Sequence, residues 1–520
     1  MPFAGAMVTW LTRRIKTVYD LPAWIGLAAV IITLILAFIL RASQVEMILG
    51  DWSPVSFTGT PLIIAANPEG IAILIAVAGV MGLSIMSSDK AANPAAGPIA
   101  GLSFAALSVT VLAHDLVTLL IGLGLLDMLT AVYALLQTHH PRRIMRDVLF
   151  NVASLLALAI AVTLCAATGN SLYMPLAHLP DRVMPFIAIA LLFRFSLLPL
   201  RSVTDRYIGH DWAGKSSILA GMLVLARLPQ LEAPQLHAWF FAFALLTAIC
   251  ALAIGVLSKN RATLMGSIET GTLALALTSA VPWQAGAIIT AAVAWLLGTA
   301  LIDEAAGQYP ARYRPAIPVV RAVAALSLAG LPLTAGFVGR AGVISTWAAR
   351  DIGGAALIMG FSIAQIVLVA ALLRLMLWHE PAGGEEEHTG SATLRLAVLG
   401  IPSILVVLFG LAPGLSGAGG LSTTFDQVGL AGWIFWIIPS ALGGLLWYTE
   451  KRWSATLNRY NDRLMTALEL NWWQDILAGA IGRLSKPFTG VLTLLESDGA
   501  LLWAVIVILI AVLISRPGGP

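Results

Sequence analysis

The sequence predicts an all-α, polytopic membrane protein of about fifteen transmembrane helices, and three observations carry that expectation. Of its 520 residues, 59% are hydrophobic and only 11% charged, with a mean hydropathy of +0.89. Apolar runs of about twenty residues, the length that crosses a hydrocarbon core of about 30 Å, recur between short polar breaks. The widest breaks, roughly 42–65, 201–215, 304–316, 379–393 and 449–475, are all too short for a folded soluble unit.

Taken in order, the first span (22–41) follows Arg13, Arg14 and Lys16 but is too long for a signal-peptide core and lacks a small-residue cleavage site. It reads as a retained helix. Further spans are expected at 66–87, 97–113, 115–137, 147–168, 183–200, 216–229, 236–257, 263–281 and 285–303, then a broken 317–350, then 355–378, 394–412, 430–448 and 499–515. Lys and Arg are retained in cytoplasmic loops. One alternate set of loops holds Arg13, Arg14, Lys16, Arg142, Arg143, Arg201, Arg206, Lys259, Arg261, Arg312, Arg314, Lys451, Arg452, Arg459 and Arg463, whereas the other is nearly bare. The N-terminus is therefore expected in the cytoplasm and, with an odd number of crossings, the C-terminus outside.

The most informative segment is Ser327 to Arg340, SLAGLPLTAGFVGR, an apolar stretch interrupted by Gly330, Pro332, Gly336 and Gly339 and closed by a cation. Broken backbone at membrane depth leaves amides and carbonyls unpaired unless protein or a wet cavity supplies partners, and an intramembrane ion adds roughly 2.5 to 3.5 kcal/mol on insertion scales. Such a segment points to function. A second interruption, from Leu191 to Pro199, contains Arg194. Paired broken spans are the usual trace of transporter repeats whose ion path lies between them. The expected organisation is N-terminal helices (1–96), two inverted five-helix repeats (97–229 and 236–378), peripheral helices (379–448), and an amphipathic helix with a terminal anchor (449–520). In that last part Leu457, Tyr460, Leu464, Leu468, Trp472 and Ile476 recur at helical spacing among charged residues.

Other residues read more plainly. Cys165 and Cys250 lie in apolar spans and offer neither a disulfide framework nor a metal set. Met81, Met86, Met222 and Met265 read as core, and the Glu385-Glu386-Glu387-His388 run as a solvated loop. His114 and Asp115 sit between two spans and suit capping. Asp303 and Glu304 lie near a helix end, where hydration and a path role weigh equally. Glu269 is deeper and suits a path. No phosphate loop, Walker lysine or zinc spacing occurs, and no cofactor or nucleic acid is expected on this chain.

Several motifs together resemble those of the proton-translocating antiporter-like subunits of respiratory complex I, with their kin in Mrp-type sodium/proton antiporters and membrane-bound hydrogenases. Ser327 to Arg340 is similar to that family's SLAG-(I/L)-P-x-(T/A)-GF-x-GK. His114 to Gly122 resembles the N-D-L-L-T-L start of its glutamate-bearing helix, and Phe193 to Pro199 its F-K-x-G-x-x-P. Leu264 to Gly271 and Asp303 to Gly307 resemble two further motifs, in family order. The resemblance implies half-channels joined by a chain of lysines, glutamates and histidines, carrying protons while a partner module supplies energy. It also implies other membrane-arm subunits, a soluble redox or hydration module, surrounding lipid, and a prokaryotic inner (cytoplasmic) membrane.

The departures matter as much. The family glutamate position falls on Gly124, with Asp127 one turn along the same face. Arg194 and Arg340 stand where the family carries lysine, Thr299 occupies another lysine position with Asp303 one turn later, and Arg227 is an approximate substitute for a further lysine near Leu225. A guanidinium does not release its proton at any ordinary pH, so the arginines can fix charge and order water but not carry protons. Asp127 facing Arg194 would form a buried pair. Two readings follow: protons using Asp127, Glu269, Asp303, Glu304 and water with Arg194, Arg227 and Arg340 as electrostatic gates, or a non-conducting scaffold. The leading expectation is a subunit coupling proton translocation to electron transfer to quinone. The alternatives are an Mrp-like cation/proton antiporter, the membrane partner of a hydrogenase or CO2-hydrating complex, and a stand-alone transporter.

Overall fold

A computed structural model describes residues 2–12, 21–41, 46–48, 63–87, 96–137, 141–167, 175–197, 212–228, 234–279, 285–305, 315–348, 352–378, 389–450 and 452. Sixteen helices run through them. In chain order they are α1 (Pro2–Thr12), α2 (Leu21–Arg41), α3 (Pro68–Ser87), α4 (Ala96–Leu112), α5 (Leu116–Gln137), α6 (Pro141–Ala167), α7 (Met184–Phe195) and α8 (Trp212–Arg227). There follow α9 (Pro234–Leu257), α10 (Arg261–Thr278), α11 (Ala285–Glu304), α12 (Ala316–Leu328), α13 (Ala335–Ala348), α14 (Ile352–Met376), α15 (Thr389–Leu411) and α16 (Leu421–Tyr448). Six of these helices contain stretches long and apolar enough to cross a membrane, and further shorter apolar helices accompany them. The chain is a multi-pass membrane protein.

Two elements go beyond the spans expected from the sequence. A short antiparallel ribbon pairs β1 (Glu46–Ile48) with β2 (Ile63–Ala65) between α2 and α3. The extreme N-terminal segment is itself a helix, α1, which lies against α2 and α4. It is too short for a span and escaped the twenty-residue criterion. The expected span at 430–448 corresponds to the part of α16 beyond a kink at Gly429, whose φ of 58° is not helical. The amphipathic helix and anchor expected in 449–520, and the span at 499–515, lie outside the described residues apart from Thr449, Glu450 and Arg452.

The centre of the bundle is α11, buried along its length from Gly286 to Glu304, with α10 buried from Leu264 onward. Outward faces carry exposed apolar side chains such as Ile39, Met128, Leu149, Met359 and Ile404. That inversion suits lipid as the surrounding solvent, where helix association rests on close packing rather than on water exclusion. Small residues permit the closeness: a Cβ at Gly298 would lie 2.7 Å from the Leu328 side chain, and one at Gly271 would lie 2.4 Å from Leu252.

Both interruptions read from the sequence are breaks in helix. The first ends α7 at Ser196, which adopts φ 46°, a left-handed conformation costly for a residue with a Cβ. The second separates α12 from α13 through Gly330 at φ 72° and Leu333 at φ 68°. The half-helices meet almost end to end: a Cβ on Gly336 would fall 1.8 Å from the Ser327 carbonyl oxygen. Glycine is obligatory at 336 for that approach. Pro199 lies outside the described residues, whereas Pro332 sits in the turn between the half-helices.

Candidate functional site: a buried charge network across the bundle

Asp127 on α5 faces Arg194 on the last turn of α7, 67 residues away in sequence, and the two form a fork: Nη1 donates to Oδ1 at 3.0 Å and Nη2 to Oδ2 at 2.8 Å. Bidentate geometry is the strongest form of this contact. Ser217 Oγ donates to the same carboxylate at 2.9 Å, and Arg194 Nε donates to Ser154 Oγ at 3.3 Å. All four residues are buried. The pair is saturated by fixed protein groups.

A second cluster forms on the other side of α8. Lys215, only 1% exposed, directs its ammonium at Thr299 Oγ1 (3.1 Å), Asp303 Oδ2 (3.3 Å) and Glu269 Oε1 (3.6 Å). Glu269 and Asp303 are themselves 5% and 4% exposed. Three helices, α8, α10 and α11, therefore converge on one cation and two carboxylates. Glu304 is buried beside them in the chain, so hydration at a helix end describes neither Asp303 nor Glu304. The polar loop is near in sequence, but α8 and α10 close over that end of α11. Trp295 Nε1 donates to the Glu269 carbonyl at 3.0 Å and pins α10 to α11 at this level.

Lys215 is the site residue that sequence reasoning passed over. It is the last residue of the polar break at 201–215, since the apolar run begins at Ser216. The helix in fact starts at Trp212, whose fully buried ring packs edge-on against Phe104. That tryptophan was the available signal. Because Lys215 and Ser217 lie two positions apart on one helix, α8 presents a contact to each cluster and ties them together.

The remaining arginines have different surroundings. Arg227 ends α8 and donates to the Ala113 carbonyl at 2.7 Å and the Val111 carbonyl at 2.5 Å, as well as to Asn67 Oδ1. It caps the C-terminal end of α4 and clamps it to the start of α3, remote in contacts from both clusters. Gly70 is needed there, since a Cβ would sit 2.4 Å from the Val111 oxygen. Arg340 on α13 reaches back across the break to the carbonyls of Leu328 and Ala329 and to Gln365 Oε1 on α14, while Gln365 Nε2 donates to the Ala329 carbonyl at 2.8 Å. It closes the C-terminal end of α12. Asp115 caps α5 through the Thr118 amide (2.8 Å) and hydroxyl (2.7 Å).

No family model matches this sequence, and no curated protein is recognisably similar to it. The fold does have solved counterparts. It is similar to a chain of the Mrp complex from a Dietzia species, with a TM-score of 0.74 at 18% identity, covering 100% of this chain and 63% of that one. This chain thus spans under two thirds of the length of that counterpart. It is also similar to a chain of the membrane-bound sulfane sulfur reductase, an archaeal respiratory membrane complex (TM-score 0.69, 16% identity, 98% of each chain covered). A third counterpart is a chain of respiratory complex I from Thermus thermophilus (0.61, 15% identity, 86% of this chain and 100% of that one). The chain shares its fold with chains of these three complexes.

Proposed function

We propose that this chain is an antiporter-like subunit of a multi-subunit, energy-converting membrane complex and that it carries protons through the Lys215–Glu269–Asp303 cluster. The observation that carries the reading is Lys215 itself. An ammonium, unlike a guanidinium, can hand its proton to a neighbour and take it back, and here two carboxylates stand within 3.6 Å. Two carboxylates face one ammonium, and a proton passed from Lys215 to either of them leaves the total charge of the three groups unchanged. Thr299 Oγ1, which accepts from Lys215 and donates to the Trp295 carbonyl at 2.7 Å, holds the Lys215 nitrogen in place as its proton passes to a carboxylate and back.

Asp127 and Arg194 have a different role. Their forked contact with two serines fixes a dipole beside α8, and the guanidinium cannot take part in proton exchange. Arg227 and Arg340 hold helix ends and keep the broken spans in register. The coupling of proton movement to electron transfer to quinone, the presence of a soluble redox or hydration module, and an inner-membrane setting with a cytoplasmic N-terminus belong to the same proposal. An Mrp-like cation/proton antiporter is the alternative within this fold. The two repeats (97–229 and 236–378) would supply the two sides of the path.

The test is proton flux in liposomes holding the complex purified through a tag on this chain. Glu269→Gln and Asp303→Asn are each expected to lower flux at least about tenfold, the scale of one lost proton-transfer partner. Unchanged flux in both variants would remove the cluster from the path. Sodium dependence of the same flux separates the antiporter reading from proton-only transport.

A further inference from the structure

A small cavity of about 20 Å³ lies against the second helix break, lined by Thr272, Ser279, Trp295, Ser327, Gly336 and Arg340 among others. Its electrostatics are one-sided. Among the described residues, the partners of the buried Arg340 guanidinium are all neutral oxygens, those of Leu328, Ala329 and Gln365. Those three bonds leave about two of the five guanidinium N–H groups for a further acceptor. The end of α12 contributes a partial charge of roughly −0.5 and the start of α13, where Gly336 lines the cavity, roughly +0.5, so the half-helices offset one another. The full charge of Arg340 is left standing. A buried cation without an anionic partner is costly, and the surroundings are expected to supply one.

The second observation is Ser327. Its residue is 0% exposed, its Oγ makes no hydrogen bond, and it borders the same cavity. A buried hydroxyl left unpaired ordinarily has a missing acceptor or donor next to it. Arg340, the unpaired Ser327 hydroxyl and Gly336 in the first turn of α13 all line this one space. That is the chemistry of anion binding.

We propose that this cavity is a small-anion site, of a size and donor set suited to a single halide such as chloride, held by Arg340, the Ser327 hydroxyl and the start of α13. The bound anion neutralises Arg340 and locks the two half-helices together. It is a site separate from the Lys215 cluster, and it requires no proton transport to be observed.

The experiment uses the purified complex in detergent. Its thermal unfolding midpoint is followed while sodium gluconate is replaced by sodium bromide at constant ionic strength. A saturable rise in the midpoint is expected, together with bromide anomalous scattering at the cavity in crystals. Ser327→Ala, which removes only the hydroxyl, is expected to keep the midpoint in gluconate at or above the native value and to raise the half-saturating bromide concentration at least about fivefold. Identical midpoints in gluconate and bromide would overturn the proposal, as would a Ser327→Ala protein with an unaltered bromide response.

Discussion

Replacing Asp127 with Asn leaves its shape intact and removes its charge. In the native protein the carboxylate accepts from Arg194 at 3.0 and 2.8 Å and from Ser217 at 2.9 Å. An amide can accept on only one side, so its NH2 faces either a guanidinium N–H or the serine hydroxyl, and the fork is lost. What remains is a buried guanidinium with Ser154 and Ser217 for company. Removing one member of such a pair costs about 3–5 kcal/mol, most of it the penalty of the stranded charge. The paired change Asp127→Leu with Arg194→Met removes both charges at once and is expected to cost far less, within about 1 kcal/mol of the native protein or better. The assay is unfolding of the purified protein in mixed micelles, run on both singles and the double. A single Asp127→Asn within about 1 kcal/mol of native, or a double variant as unstable as the sum of its singles, would refute the picture of a saturated buried pair.

Arg227→Lys is expected to destabilise the protein by about 1.5–3 kcal/mol, because an ammonium cannot span Ala113, Val111 and Asn67 together; proton flux per folded molecule should stay native, which reconstitution normalised to folded protein will check. Gly336→Ala places a methyl 1.8 Å from the Ser327 oxygen and should cost at least about 1–3 kcal/mol, visible as lost folded yield and a lowered unfolding midpoint. Gly124→Ala provides the contrast: no atom lies within 4 Å of its would-be Cβ, and better helix propensity predicts a neutral or slightly stabilised protein in the same measurement.

Much of this fold could be read from residues alone, because a bilayer imposes one length on every crossing element. The spans at 22–41, 115–137 and 236–257 fall within a few residues of α2, α5 and α9. The second break was equally plain, since Gly330, Pro332 and Gly336 cannot all continue a helix. Asp127 could be matched with Arg194 only through the family resemblance and the one-turn displacement from Gly124; nothing local joins residues 67 positions apart. Lys215 was obscured by its neighbours. Hydropathy averages placed Asp211 and Lys215 in a loop, whereas a buried tryptophan at 212 draws the first turn of α8 into the bundle. Arg227 and Arg340 illustrate the converse. The sequence suggests both as electrostatic gates, and their contacts, with carbonyls at helix ends and with the side-chain amides of Asn67 and Gln365, are ones no sequence pattern specifies.

The account turns on whether Lys215 exchanges a proton or merely supplies charge, and Lys215→Arg separates the two. The substitution keeps the cation beside Glu269 and Asp303 while abolishing its ability to let a proton go. Proton flux through liposomes bearing the intact complex is predicted to fall at least about tenfold, with the unfolding midpoint close to native. Native flux from a well-folded Lys215→Arg complex would contradict the proposed path.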